Sequence, residues 1–245
     1  MSIIEKQEDS LAEGYSSTLF QFDEVVVKGP DTIQFISSFT TADINGLQEH
    51  EGCDGFFCDA RGWVLEMAIL LRSDEGLRIR VARGRGHGLA THLDHYHIRE
   101  DLTIFQNQEE LHSVLVSGGR AKRWLGEFFD VSVSVELYQQ IQEHDGDSCF
   151  STKMTPARVM VVDWVSSQGF LVTVPEECKD VLQSSLLESG LQESTDEMIT
   201  YLRLQQGWPL GNDIPEKTLP QEVGLNARTC LLYTSDAADE EDSVD

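Results

Sequence analysis

Positive charge is what this chain has least of. Eighteen Lys and Arg stand against 43 Asp and Glu in 245 residues, a formal net charge of −25. A field of that sign repels phosphate backbones and excludes non-specific binding to nucleic acid, so no direct nucleic-acid partner is expected. Six of the acids lie after Thr229, and without them 37 acids still face 18 bases, so the acidity belongs to the body of the chain. Cysteine is also sparse. Cys53, Cys58, Cys149, Cys178 and Cys230 are odd in number and show no CxxC spacing. That pattern argues against a disulfide framework and for reduced thiols in the cytoplasm. No apolar run reaches the ~18 residues of a membrane span. The start, MSIIEKQEDS, has neither the basic nor the apolar region of a signal peptide. A cytoplasmic protein without a membrane partner, acting as a monomer, is the expectation.

The hydrophobic content of 40% and the length are enough for a substantial core. Residues 1–14 are polar and expected to be loose. A β-branched run, Glu24–Lys28, stops at Gly29-Pro30-Asp31, a turn suited to starting a helix over Thr32–Phe39. Gly55–Asp59 and Trp63–Leu71 predict a hairpin about Ala60-Arg61-Gly62, and Leu77–Val81 alternates as a half-buried strand does. Gly84–His97 reads as helix and Leu102–Phe105 as strand. A second cycle runs through Val114–Val116, a helix at Arg120–Phe129, strands at Arg158–Trp164 and Gly169–Val174, and a helix at Pro175–Glu188. The polar stretch His144–Lys153 is the best loop or boundary. Strand, helix, strand pair, helix and strand, about twice over, predict an α+β fold with mostly antiparallel sheets and packed helices.

Three motifs carry candidate chemistry. Glu66 lies in the otherwise apolar run after Asp59-Ala-Arg-Gly62; its carboxylate either faces solvent, as a half-buried strand favours, or lines a pocket as an acid or base. His87, His92, His95 and His97 do not share one helical face, so a basic, solvated face is expected there and no metal site. Tyr201-Leu-Arg-Leu-Gln205-Gln-Gly207-Trp-Pro reads as a helix leaving through a glycine cap, followed by Leu219-Pro-Gln-Glu-Val-Gly-Leu225.

Taken in order, Gly29-Pro30-Asp31 with Phe35, Thr41-Ala-Asp43-Ile44, Asp59-Ala-Arg61-Gly62, Leu202–Pro209 and Leu219–Leu225 resemble the folate-binding superfamily of the glycine-cleavage T protein, over about residues 20–226. The last segment resembles its YgfZ branch. The resemblance implies the aminomethyltransferase folate-binding fold. Its folate-binding module has a first half over 15–110 and a second half over 111–229. It further implies non-covalent tetrahydrofolate, with Glu66 as the catalytic acid and Gln205, Arg203, Glu66, Asp43 and Tyr201 as folate contacts. Two departures from the T-protein pattern count against efficient aminomethyl transfer: Gln205 replaces a Glu of the helix exit, and Glu66-Met67 replaces an Asp pair. The YgfZ reading implies support of iron–sulfur cluster assembly or repair and of tRNA modification, with iron–sulfur client proteins as partners. An aminomethyltransferase or a related folate-dependent one-carbon enzyme is the alternative. A third possibility is an acidic scaffold that no longer binds folate. The segment Cys230–Asp245 contains CLLYTSDAADE, which resembles one reading frame of a sequencing-library adapter. On that reading 230–245 is a non-native tail, the chain is C-terminally truncated, and the YgfZ motif K-G-C-Y-x-G-Q-E is missing.

Overall fold

Two stretches of alternating or continuously apolar strand sequence build two separate sheets. The computed structural model describes residues 14–129, 140–143, 157–166 and 169–223. The expected loop at His144–Lys153, the expected adapter-like tail at 230–245 and all but Gly14 of the expected loose start lie outside the described residues. The strands are β1 (Tyr15–Ser17), β2 (Phe22–Lys28), β3 (Gly52–Cys58), β4 (Val64–Ser73), β5 (Gly76–Ala82), β6 (Thr103–Gln106), β7 (Leu111–Ser117), β8 (Gln140–Glu143), β9 (Arg158–Val162), β10 (Gly169–Pro175) and β11 (Gln192–Glu193). The described helices are α1 (Thr32–Ser37), α2 (Gly86–Tyr96), α3 (Gly119–Phe129), α4 (Lys179–Glu188) and α5 (Asp196–Gln205), with short 3₁₀ turns. One sheet runs β11-β1-β7-β10-β9-β8 and the other β3-β4-β5-β2-β6. The pairings with a described register are antiparallel except β1 with β11. The α+β expectation holds.

The chain forms two compact units, Met1–Phe22 with Gln108–Trp208 and Asp23–Asn107 with Pro209–Asp245. Both units draw on two separate stretches of the chain.

In the first unit, alternate residues of three strands (Val114 and Val116, Val159 and Val161, Phe170 and Val172) face one core with Trp124 and Leu125 of α3 and Leu182 and Leu186 of α4. Period-two burial from strands and period-3.6 burial from helices meet in one apolar layer, as such a fold requires. A separate aromatic wedge joins Phe20, Trp164 and Trp208. The two indoles stack at 4.1 Å between centroids, and Phe20 tilts against Trp164 at 5.1 Å. Cys178 is fully buried and disulfide-bonded, which departs from the expectation of uniformly reduced thiols.

In the second unit, Val25, Val27, Ala68, Leu70, Ile79 and Val81 bury one sheet face with Phe35 and Ile36 of α1 and Leu89 and Leu93 of α2. The turn residues singled out above are structural here. Gly29 adopts φ 132°, and a Cβ on it would stand 2.3 Å from the Asp101 carbonyl oxygen, so no larger residue fits. Asp31 does not cap α1 through its side chain; its Oδ2 accepts the Asp101 amide at 2.7 Å and ties two loops together. Thr41 exchanges two hydrogen bonds with Phe56, at 2.9 and 3.0 Å, stitching the Thr-Ala-Asp-Ile segment onto β3. Asp59 Oδ1 accepts the amides of Arg61 and Trp63, both at 2.9 Å, and Gly62 takes φ 79°, which closes the β3–β4 hairpin.

Candidate functional site

Glu66 is the third residue of β4, and its placement follows from a fault in the ladder. Opposite β4, Phe57 pairs with Glu66 but Cys58 pairs with Val64, so Leu65 is the extra residue of a β-bulge. A bulge re-aims the side chains beside it. Beyond the bulge Glu66 continues the row of Ala68 and Leu70; Met67, Ile69 and Leu71 on the other face are buried as well, so neither face of β4 there is open to solvent. The Glu66 side chain is 6% exposed.

An ionised carboxylate in that position needs a partner. Arg85, just before α2, donates from Nε to Glu66 Oε1, while half of the Arg85 side chain stays in solvent. Oε2 is enclosed and has no partner. Gly211 stands against it: a Cβ there would lie 3.0 Å from Oε2. Burial pushes the Glu66 carboxyl above its ordinary value, and the hydrogen bond and charge of Arg85 pull the other way without cancelling it. The result is an acid that takes up a proton more readily than a solvated one.

Arg85 is placed by the start of α2. Asp23 Oδ2 accepts the amides of Gly84 and Gly86, each at 2.9 Å, and so satisfies donors at the helix entry. Gly86 is required because a Cβ would come within 2.6 Å of Asp23 Cβ. Leu65, Glu66, Gly84, Arg85, Gly88, Leu89 and His92 line a cleft of about 310 Å³. That lies at the lower end of the ligand-pocket range.

His92 corrects the expectation of a solvated histidine face. Phe39 and Tyr96 stand edge-on to its ring at 6.0 and 5.2 Å, and its Nε2 is enclosed without a partner. Burial lowers its pKa from 6.5, against the pull of Asp59 and with that of His95, so it is neutral at pH 7. His87 and His95 are exposed, and His97 hydrogen-bonds the Glu100 carbonyl oxygen at 2.9 Å. Among the described residues, no group of three or more His, Cys, Asp or Glu is arranged to hold a metal ion.

The remaining candidates lie on other elements. Asp43 is exposed, with Oδ1 accepting the Asn45 amide at 3.2 Å. Tyr201, Arg203 and Gln205 all lie on α5, in the other unit. Tyr201 and Gln205 are exposed and bonded to each other, Gln205 Nε2 donating to the Tyr201 hydroxyl at 2.7 Å. Arg203 is buried and its Nη1 donates to the Trp208 carbonyl at 3.3 Å, while the Trp208 amide returns to the Arg203 carbonyl at 2.8 Å. That pair, with Gly207 at φ 71°, closes the helix end. Arg85 and Gly88 did not stand out in the sequence, and His92 was marked only as one of four histidines expected in solvent; the one available signal was the glycine density of Arg83-Gly-Arg-Gly-His-Gly88.

Comparison with known proteins fits this architecture. The GCVT N-terminal domain family matches residues 18–231, and the chain belongs to that family. It is 25% identical over 228 residues to the mitochondrial aminomethyltransferase of Solanum tuberosum, covering 81% of this chain and 50% of that protein. It is 21% identical over 214 residues to the aminomethyltransferase of Caldanaerobacter subterraneus, covering 82% of this chain and 54% of that protein. The chain therefore spans about half the length of the curated relatives it matches. The crystal structure of glycine cleavage system aminomethyltransferase T from Bartonella henselae shares the fold, with a TM-score of 0.72 at 20% identity over 89% of this chain and 58% of that one. The preference for the YgfZ branch is corrected to this extent: the relatives are named aminomethyltransferase, and what they support is the T-protein superfamily.

Proposed function

We propose that the chain binds tetrahydrofolate and acts on a one-carbon unit attached to it, in the manner of an aminomethyltransferase, with Glu66 as its acid–base group. The observation that carries this reading is the enclosed, partnerless Oε2 of Glu66 in a cleft walled by Leu65 and Leu89. A buried carboxylate with one oxygen anchored and the other without a partner, at a cleft with apolar walls, is suited to orienting a flat nitrogen heterocycle. Tetrahydrofolate, when bound, supplies the nitrogen that carries the one-carbon group. The chain supplies the rest: Leu65 and Leu89 keep water off the ring, and Arg85 anchors Oε1. Oε2 is thereby left to take or return a proton, at a carboxyl that burial has raised.

Calorimetric titration with tetrahydrofolate, followed by turnover of an aminomethylated carrier protein, tests it. Saturable binding together with turnover supports the reading; absence of tetrahydrofolate binding by the full chain sinks it.

A second reading draws on the Leu219–Leu225 segment. Pro220–Glu222 form a 3₁₀ turn in which Glu222 Oε2 accepts the Leu219 amide at 2.8 Å, and the Thr218 carbonyl accepts the Val64 amide at 2.8 Å. The residue just before the YgfZ-like segment is thus bonded to the strand that carries Glu66. On this reading the protein binds folate without efficient turnover and supports iron–sulfur client proteins and, through them, tRNA modification. Loss of iron–sulfur enzyme activity in a gene-deletion strain whose glycine cleavage is intact would favour it; normal iron–sulfur activity there would remove it.

A further inference from the structure

A second pocket lies in the unit that carries Glu66, and it shares no lining residue with the cleft described above. Asp31, Phe35, Ser38 and Phe39 line it at the three- and four-residue spacing of a single helical face, along α1 and just past its end. Tyr96 ends α2, and Arg99 and Glu100 reach the pocket from the turn that follows. A helical face with that spacing ordinarily packs against a neighbour. Here it borders an opening of about 480 Å³, within the size range of small-molecule sites.

Aromatic rings and fixed carboxylates make up its walls. Phe35 and Phe39 stand 5.0 Å apart between centroids and Phe39 and Tyr96 5.4 Å, tilted by 51° and 49°. Neither pair is stacked flat, so the rings do not cover one another's electron-rich faces. Beside them, backbone amides hold two carboxylates in place. Asp31 Oδ2 accepts the Asp101 amide at 2.7 Å, and Glu100 Oε2 accepts the amides of Ile98 and Arg99, each at 3.0 Å. Bonds from the amides of Arg99, Glu100 itself and Ile98 hold the Glu100 carboxyl down at about 2, so it is ionised at neutral pH. Arg99 is exposed, and among the described residues its guanidinium has no hydrogen bond or ion pair. The groups that the fold holds in place are therefore the aromatic and the anionic ones. A chain of net charge −25 adds a field that draws cations.

We propose that this pocket binds a small molecule through a quaternary ammonium head group, with Phe39 and Tyr96 offering ring faces and Asp31 and Glu100 offering charge. Such a head group has no N–H to donate, so it needs neighbouring charge and ring faces rather than aligned acceptors. Aromatic rings attract it when it lies within about 6 Å of their centroids. The competing ligand is an aromatic carboxylate paired with Arg99, and the two fixed carboxylates repel it. The proposal stands apart from the folate reading, because none of the residues it uses lines the Glu66 cleft.

The test titrates the full chain with choline and follows the backbone amides of Gln34, Phe39 and Glu100 by NMR. Two further probes are the neutral alcohol in which carbon replaces the choline nitrogen, and benzoate. Saturable shifts with choline are expected, with the neutral isostere about tenfold weaker and benzoate without effect. Tyr96→Leu keeps an apolar side chain at a partly exposed position and removes the ring. Glu100→Gln keeps an acceptor for the two amides and removes the charge. Each is expected to weaken choline binding about three- to tenfold while retaining a single cooperative melt. Absence of choline shifts in the wild type, an isostere that binds as tightly as choline, or benzoate binding in its place overturns the proposal. Those comparisons need no variant, so they hold whether or not either substitution folds. Choline affinity unchanged in both folded variants overturns it as well.

Discussion

In each of the two units a charged side chain from a motif that the sequence marks, Arg203 in one and Glu66 in the other, is almost completely buried, and the surroundings of the two differ. Arg203, 4% exposed, lies where α5 ends, and it turns back on that end: its guanidinium takes the Trp208 carbonyl, and the Trp208 amide takes its own carbonyl. Trp208 is in turn stacked on Trp164. Glu66, 5% exposed, is tied through Oε1 to Arg85, its Oε2 is enclosed, and the residue lines a cleft. A buried charge whose groups return to its own helix end acts as structure. One that lines a cleft, as Glu66 does, is placed to meet a ligand. The helix-exit motif of the first unit thus serves the core, while the strand motif of the second serves chemistry.

The largest expected effect tests the structural half of that contrast. Trp208→Ala removes a nearly fully buried indole and is expected to cost about 3–5 kcal/mol, read as a lower urea midpoint at unchanged slope. If stability barely changes, the aromatic wedge is not what the helix exit is for. Next comes Glu66→Gln. Turnover is expected to fall by about 10²-fold or more, in keeping with loss of a general acid or base. Its stability moves the other way. A carboxyl raised on folding contributes stability below its unfolded pKa and loses it as pH rises through the folded one, so the amide is expected to melt higher than the wild type at pH 8 and not at pH 4. A variant less stable than the wild type at both pH values would make Glu66 a structural residue like Arg203.

A smaller effect comes from the glycines of α2. Gly88→Ala is expected to raise stability by about 0.5–1 kcal/mol, since its Cβ enters open space, whereas Gly86→Ala clashes with Asp23 and lowers it. Thermal melts of the two variants check this, and equal shifts would contradict the different reasons assigned to them. The smallest effect is the titration of His92. Its folded pKa is depressed, so the stability it contributes is present above 6.5 and lost as pH falls through the folded value. Asp59, His95 and the Glu66–Arg85 pair are the charged groups about it. His92→Gln is expected to flatten the stability profile between pH 7 and 5, followed by denaturant titration at each pH. An unchanged slope would place His92 in solvent.

How much of this was legible beforehand depends on which residues are asked about. The hairpin at Asp59–Gly62 could be read from the chain because its hydrogen bonds stay within four residues. The helices could be read because their apolar spacing repeats. Strands β1 and β11, of three and two residues, show no period and were missed; they exist because a neighbouring strand pairs with them. Glu66 was marked, but its direction was not, since a bulge at Leu65 decides which face it joins. Arg203 was read as a ligand contact, yet the structure commits its Nη1 to Trp208, five residues on. His92 was expected in solvent because its own helix leaves it on a polar stretch; Phe39, brought there by a different element, encloses it.

The amino-acid sequence alone determined the acidic character, the order of the longer strands and helices, the glycine and aspartate turns and the family. Each depends on composition or on contacts within a few residues, where spacing suffices. Only the tertiary structure decided that Glu66 is buried, that Arg85 holds one of its oxygens, and that the other is enclosed against Gly211 at a cleft its residue shares with His92 and Gly88. Burial and hydrogen bonding at that oxygen depend on β4, α2 and the Gly211 turn, segments far apart in the chain. Their meeting is set by the packing of the whole unit, which no local pattern encodes.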